Sequence, residues 1–385
     1  SQDIYKCIFK MTMKNFYFIL LPFLAFSCNT TKSGPEVPAS DNTMEVSIST
    51  KKAKNIIFLI GDGMGLSQIT AAMYANKNRI NLERFPVVGL HKTHASNDLV
   101  TDSAAAATAF ACGVKTYNGA IGVNPDTLPV KSILEMAEEK GLATGLVATS
   151  TIVHATPASF FAHEKRRNLY ECIAMDLLDI ELDYFVGGGK KYFDRRDMDN
   201  RDLIQELRAK GYQISDYFTE PFSQVMMPSK KNFGYFTSDS DPLPVSKGRG
   251  YLYAATKAGI RFLKKRSDKG FFMMTEGSQI DWGGHANESD YIISELLDFD
   301  RVVGYALDFA KKDGETLVVV TADHETGGYS IVQGSRMDSL ATKFTTSYHT
   351  ASMIPVFAYG PGSEEFAGIY ENTEIFRKMK KVLGL

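Results

Sequence analysis

The feature that most constrains this chain is a repeated alternation of short apolar runs and longer amphipathic stretches, with glycines and carboxylates at the seams. Segments that read as strands, most of them apolar runs, cover residues 55–60, 87–94, 144–149, 184–186, 270–275, 317–321 and 353–359. Helical periodicity covers 66–75, 132–140, 169–178, 203–210, 251–265 and 289–311. Uninterrupted apolar strands are those buried on both faces, as in parallel sheets. The alternation therefore predicts an α/β fold of three layers, α/β/α, with a large, mostly parallel central sheet. Apart from one helix, the stretch 197–250 reads as polar, proline-containing loops.

The seams carry the chemistry. Open α/β sheets bind ligands beyond the carboxyl ends of their strands. Asp62 follows the first run, inside Gly61-Asp62-Gly63-Met64-Gly65. Those glycines lack the spacing of a dinucleotide loop. Glu276 closes a later run and is followed by Asp281 and His285, read as a loop array. Asp323 and His324 close the next run, and His349 lies in the loop before the last. Each residue alone reads as structural; their collection after strands on one face points to a metal centre. Mixed Asp/His sets suit zinc and all-oxygen sets suit magnesium. A further stretch, Asp102-Ser103 followed by Ala104, Ala105, Ala106 and Ala107, predicts a capped helix, since alanine is the best helix former. Its serine hydroxyl would stand uncrowded at the positive end of the helix dipole, where anions bind.

Net charge is −2 over 385 residues, so no broad basic face for nucleic acid is implied. Residues 13–28 have the form of a signal peptide: Lys14, an apolar stretch over 16–26, then Ser27 and Cys28. The stretch is too short to span a bilayer. Cys28 after Ala25, Phe26 and Ser27 resembles a lipoprotein box, which would make it a lipid-bearing terminus. Residues 1–12 read as an upstream extension, 29–50 as a flexible tether and 51–385 as the catalytic domain. An exported, periplasmic or cell-envelope protein is expected, meeting membrane only through the anchor at Cys28. Cys112 and Cys172 are expected to be buried free thiols.

Taken together, these motifs resemble the alkaline phosphatases of the secreted, bacterial, two-zinc, one-magnesium type. The similarity runs over residues 55–362. It is carried by the Gly61-to-Gly65 segment, Asp102-Ser103, His154-Ala155-Thr156-Pro157, Glu276 to His285, Thr321 to Thr326, and His349-Thr350 ahead of Pro355-Val356. The resemblance implies Asp281, His285 and His349 as ligands of a first zinc. It implies Asp62, Asp323, His324 and the nucleophile Ser103 for a second, and Asp62, Thr156 and Glu276 for magnesium. Arg167, four residues after His163, matches the phosphate-binding arginine in preference to Arg166. His154 and Trp282 occupy substrate-proximal positions that vary in the family: the enteric bacterial enzyme has Asp and Lys there. The segment between His324 and His349 is short, so the domain inserted there in animal enzymes is missing, and its dimer contacts are not carried over; a homodimer stays open.

The implied activity is hydrolysis of small-molecule phosphate monoesters through a phosphoserine, with an alkaline optimum. Two other readings compete. A phosphodiesterase or sulfatase of the same superfamily would lack the third-metal set of Thr156 and Glu276, and a sulfatase needs a Cys/Ser-x-Pro-x-Arg context that Ser103-Ala104-Ala105 does not offer. A non-catalytic metal- or phosphate-binding surface lipoprotein would tolerate a missing ligand, and none is missing.

Overall fold

Strand β1 (Asn55–Gly61) is buried along its whole length. Successive side chains alternate between the two faces of a sheet. Ile56, Phe58 and Ile60 therefore enter one hydrophobic core, and Ile57 and Leu59 enter another on the opposite side. This two-sided burial makes β1 the centre of the molecule. The computed structural model describes residues 52–385, with the exception of residue 338. The segments 1–12, 13–28 and 29–50, with Cys28, lie outside the described residues.

The remaining strands are β2 (Val87–Lys92), β3 (Ala143–Thr151), β4 (Tyr184–Gly188), β5 (Tyr212–Asp216), β6 (Asn232–Phe236), β7 (Phe271–Gly277), β8 (Thr316–Thr321), β9 (Glu325–Thr326), β10 (Ser330–Ile331), β11 (Thr342–Lys343), β12 (His349–Thr350), β13 (Ile354–Tyr359) and β14 (Gly368–Glu371). Ten form one sheet in the order β14-β2-β13-β8-β1-β7-β3-β4-β6-β5. Only β13 runs against the others. Strands β10 and β11 pair as a small ribbon, as do β9 and β12. Helices Ser103–Cys112, Ile133–Glu139, Tyr170–Asp176, Leu203–Ala209 and Thr373–Leu383 supply side chains to the core that receives Phe58. Helices Leu66–Ala75, Leu252–Arg266 and Ser289–Asp313 supply the core that receives Leu59. The result is the expected three-layer α/β/α fold.

Local chemistry fixes several boundaries. Ser132 accepts from the Glu135 amide at 3.1 Å while the Glu135 carboxylate accepts from the Ser132 amide at 2.7 Å, a reciprocal cap. The helix Ser103–Cys112 is capped by Asp102, whose carboxylate accepts from the Ala105 amide at 2.9 Å. It ends at Gly113 in the left-handed region, φ 69°. Cys112 and Cys172 are buried and unbridged. Among the described residues no helix is long and apolar enough to cross a membrane.

Three strands depart from the sequence reading. β5 and β6 lie in the stretch read as loops, and β14 follows what was read as the last strand. β5 and β14 are the two edges of the sheet. An edge strand pairs on one side only, so its pattern is weak and its presence depends on its neighbour. A further difference concerns Asp281 and His285, which were read as belonging to a loop. They sit on a helix, Gln279–His285.

Candidate active site

The parallel strands deliver their C-terminal ends to one edge of the sheet. Asp62 follows β1, Glu276 is the next-to-last residue of β7, and Asp323 and His324 follow β8. All four are fully buried. His154 and Thr156 come from the turn and the short helix Ala155–Ala158 after β3, and His349 opens β12. The β9–β12 ribbon pairs His349 with Thr326, which holds the loop bearing His349 against the segment bearing His324.

Three clusters result. Ligand atoms of Asp62, Asp323 and His324 lie within 4.8 Å of one another, as do those of Asp62, His154 and Glu276, and those of Asp281, His324 and His349. His285 joins the last: its Nε2 lies 3.3 Å from Asp281 Oδ2 and 3.1 Å from His349 Nε2. One turn of helix explains that approach, since residues four apart share a face. Asp62 belongs to two clusters. All nine residues expected to bind metal lie in this region, and His154, expected beside the substrate, reaches the cluster of Asp62 and Glu276.

The imidazoles are aimed by backbone carbonyls. His349 Nδ1 is 2.8 Å from Thr101 O, and His285 Nδ1 is 2.7 Å from Ser347 O. Those contacts leave both Nε2 atoms to the cluster, the usual orientation of a metal-binding histidine. Thr326 Oγ1 donates to Asp281 Oδ1 and lies 3.3 Å from His324 Nδ1. Ser103, the first residue of its helix, places Oγ 3.3 Å from His324 Nε2. Arg167 Nη1 donates to Asp102 Oδ2 at 3.0 Å, and Nη2 lies 3.4 Å from His154 Nε2. The Trp282 ring meets the His154 ring edge-on, 6.2 Å between centroids.

The electrostatics call for cations. Burial first, then the carboxylates of Asp323, Asp281 and Glu276, push Asp62 well above the usual carboxylate range. Burial pushes Glu276 up to about 7. Burial also acts to raise Asp323 and Asp281, but His324 draws the first down to about 2, and His285 and His349 hold the second well below its usual range. Burial, then Arg167, lowers His154 to about 3, so its ring is neutral and able to act as a ligand. Both Asp62 oxygens, Thr156 Oγ1, Glu276 Oε1, Asp323 Oδ2 and His154 Nδ1 are buried without a hydrogen-bond partner. Buried polar atoms are rarely left so, and buried carboxylates demand compensating charge. Oxygen-rich and mixed Asp/His sets with these orphaned atoms fit divalent ions.

Some contributors were not read from the sequence. Asp102 was expected as a cap, but it also anchors Arg167, 65 residues away. Tyr348 lays its half-exposed ring on His349, with 4.4 Å between centroids and 9° between planes. Glu325 accepts from Gln68 Nε2 at 2.7 Å, from the Tyr329 amide at 3.0 Å and from Thr350 Oγ1, which ties the helix after β1 to the β9–β12 ribbon. Glu325 and Thr326 lie inside the Thr321-to-Thr326 motif; Tyr348 carried no signal beyond its adjacency to His349.

A family model described as alkaline phosphatase matches residues 53–342 and 336–385. The chain belongs to the alkaline phosphatase family. It is thus a phosphoric monoester hydrolase with a metal-binding site. It is 36% identical to alkaline phosphatase 3 of Bacillus subtilis, over 96% of this chain and 98% of that one. It is 34% identical to the alkaline phosphatase of Escherichia coli, over 88% of each. Among solved structures, the alkaline phosphatase from the Antarctic bacterium TAB5 superposes with a TM-score of 0.82 at 50% identity, covering 87% of this chain and 99% of that one.

Proposed function

We propose that this alkaline phosphatase works through a phosphoserine at Ser103, beside two zinc ions and one magnesium ion. The observation that carries the reading is the position of Ser103 Oγ, 3.3 Å from His324 Nε2 at a helix N-terminus, beside Asp62, whose two buried carboxylate oxygens accept no hydrogen bond. Asp281, His285 and His349 would hold the first zinc. Asp62, Asp323 and His324, with Ser103, would hold the second, and Asp62, Thr156 and Glu276 the magnesium. Bound there, the ions would supply Lewis acidity and lower the pKa of an oxygen nucleophile.

The chain's own groups do the rest. Ser103 Oγ, its proton given up to solvent, bonds to phosphorus as the bond from phosphorus to the ester oxygen breaks, and that oxygen takes a proton from water to leave as the alcohol. In the second half, a water oxygen bonds to phosphorus, the Ser103 ester bond breaks, and inorganic phosphate leaves. The helix dipole at Ser103 favours the anionic group in both halves. Arg167, fixed by Asp102 and fully charged, is suited to grip two phosphoryl oxygens as a fork. His154 and Trp282 would border the substrate. Small-molecule phosphate monoesters are the substrates, with an alkaline optimum. The apolar stretch before Cys28 supports an exported, cell-envelope enzyme carrying a lipid at that cysteine.

Acid quench with labelled phosphate should trap phosphate on Ser103. Label on another residue, or full turnover by Ser103→Ala, would overturn the assignment. Metal analysis of the same preparation tests the ion assignment: two zinc and one magnesium per chain are expected.

A further inference from the structure

We propose that the face formed where the parallel strands begin, at the opposite end of the sheet from the active site, is a docking face for anionic phospholipid headgroups. The candidate catalytic residues stand at the C-terminal ends of the parallel strands. The chain enters the described fold at Lys52, ahead of β1, at the other end. That end carries a row of exposed cations just before successive strands: Lys52 and Lys54 before β1, Lys269 before β7, Lys140 before β3, and Lys230 and Lys231 before β6. The sheet order β1-β7-β3-β4-β6 puts these starts side by side, over roughly 19 Å at the usual strand spacing.

Hydrogen bonds tie the segments into one surface. Lys269 Nζ donates to Lys140 O at 3.0 Å, Ser267 Oγ to Gly141 O at 2.7 Å, and Arg266 Nη1 to Lys230 O at 2.8 Å. None of the six lysines joins an ion pair among the described residues. The acids on this face are mostly matched to other cations: Asp183 to Arg266, Asp313 and Glu315 to Lys264, and Glu139 to Lys131. Glu138, Glu181, Asp268 and the C-terminal carboxylate of Leu385, next to Gly384 beside Lys52, remain, four charges against six lysines. Cations at helix C-termini can be explained by the helix dipole, but only Lys140 caps a helix. The other five stand in loops. A chain of net charge −2 has thus gathered unpaired positive charge where its N-terminal segment leaves the fold. A surface docked there would leave the active site facing away from it, open to soluble esters.

The full chain carrying Cys28→Ser lacks the lipid, and its apolar stretch over 16–26 contributes alike to neutral and anionic vesicles, so this proposal is read from the difference between the two and its failure is separable from that of the anchoring proposal. Its partitioning should be measured on phosphatidylcholine vesicles with and without phosphatidylglycerol. Binding is expected to be stronger to the anionic vesicles, and that excess should weaken with added salt. The combined variant Lys52→Gln, Lys54→Gln, Lys140→Gln and Lys269→Gln should lose roughly 100-fold or more in partitioning. Its turnover of p-nitrophenyl phosphate should be unchanged, which checks folding. Amine-labelling of the unsubstituted chain should show these lysines protected on anionic vesicles. Equal binding to neutral vesicles, binding insensitive to the four substitutions, or unprotected lysines would each overturn the proposal.

Discussion

Replacing Gly284 by alanine tests how the helix Gln279–His285 positions the site. Two adjacent glycines, Gly283 and Gly284, suggest slack between Asp281 and His285, and an alanine should then stiffen the helix by up to about 1 kcal/mol. The packing opposes this. A Cβ at Gly284 would lie 2.7 Å from Thr326 Cβ and Cγ2 and 2.9 Å from Thr326 O. Overpacking of this kind costs about 1–3 kcal/mol, so the net effect is destabilising by about 0–3 kcal/mol. The larger consequence is local. Thr326 is the residue that donates to Asp281 and touches His324, so moving it shifts ligands of two clusters together. Misplacement of catalytic groups by fractions of an ångström is expensive, and we expect a loss of about tenfold or more in kcat/KM. Melting temperature should fall by no more than a few degrees. The assay is p-nitrophenyl phosphate kinetics with metal content and thermal unfolding. Gly250→Ala is the control, since a Cβ there meets nothing within 4 Å. Wild-type kinetics and metal content in Gly284→Ala, or a raised melting temperature, would show that these glycines are not closing a packed contact.

Arg167→Ala should raise KM and weaken phosphate inhibition by about 1.5–3 kcal/mol, with little change in Arg166→Ala; the reverse pattern would move the role by one residue. His91 is fully buried, and burial lowers it to about 4. Unfolded histidine near 6.5 binds a proton that the folded form refuses, so the stability due to its burial is complete above about pH 6.5 and is lost as pH falls towards 4. His91→Gln should therefore flatten the pH dependence of the unfolding free energy, read from urea titrations, by about 3 kcal/mol over that window, and parallel curves for the two proteins would refute it. At a salt concentration that screens the lysine face, Cys28→Ser should release the enzyme from membrane fractions or else block its processing, and soluble wild-type enzyme with a different N-terminus would show ordinary secretion.

Much of the fold was legible because its signals are local. A strand such as Ile56 to Ile60, buried on both faces, must be apolar throughout, and helices with reciprocal caps such as Ser132 and Glu135 advertise their starts. β5 was not legible, because Tyr212–Asp216 is an edge strand whose residues pair only with β6. β6 itself is only five residues long and sits among polar neighbours.

The sequence by itself determined which side chains were available: carboxylates and histidines placed after strands, where a parallel sheet must collect them at one edge. It also determined the serine at the start of an alanine-rich helix. Only the tertiary structure decided how they meet. Asp102 reaches Arg167 across 65 residues, and His349 reaches Thr101 across 248. It likewise decided that Asp281 and His285 share a helical face, because that helix is fixed by glycines packed against Ile292 and Thr326, contacts no local pattern encodes. Local propensity acts over a few neighbouring residues; ligand geometry is set by contacts whose partners are distant in the chain and become neighbours only when the sheet has formed.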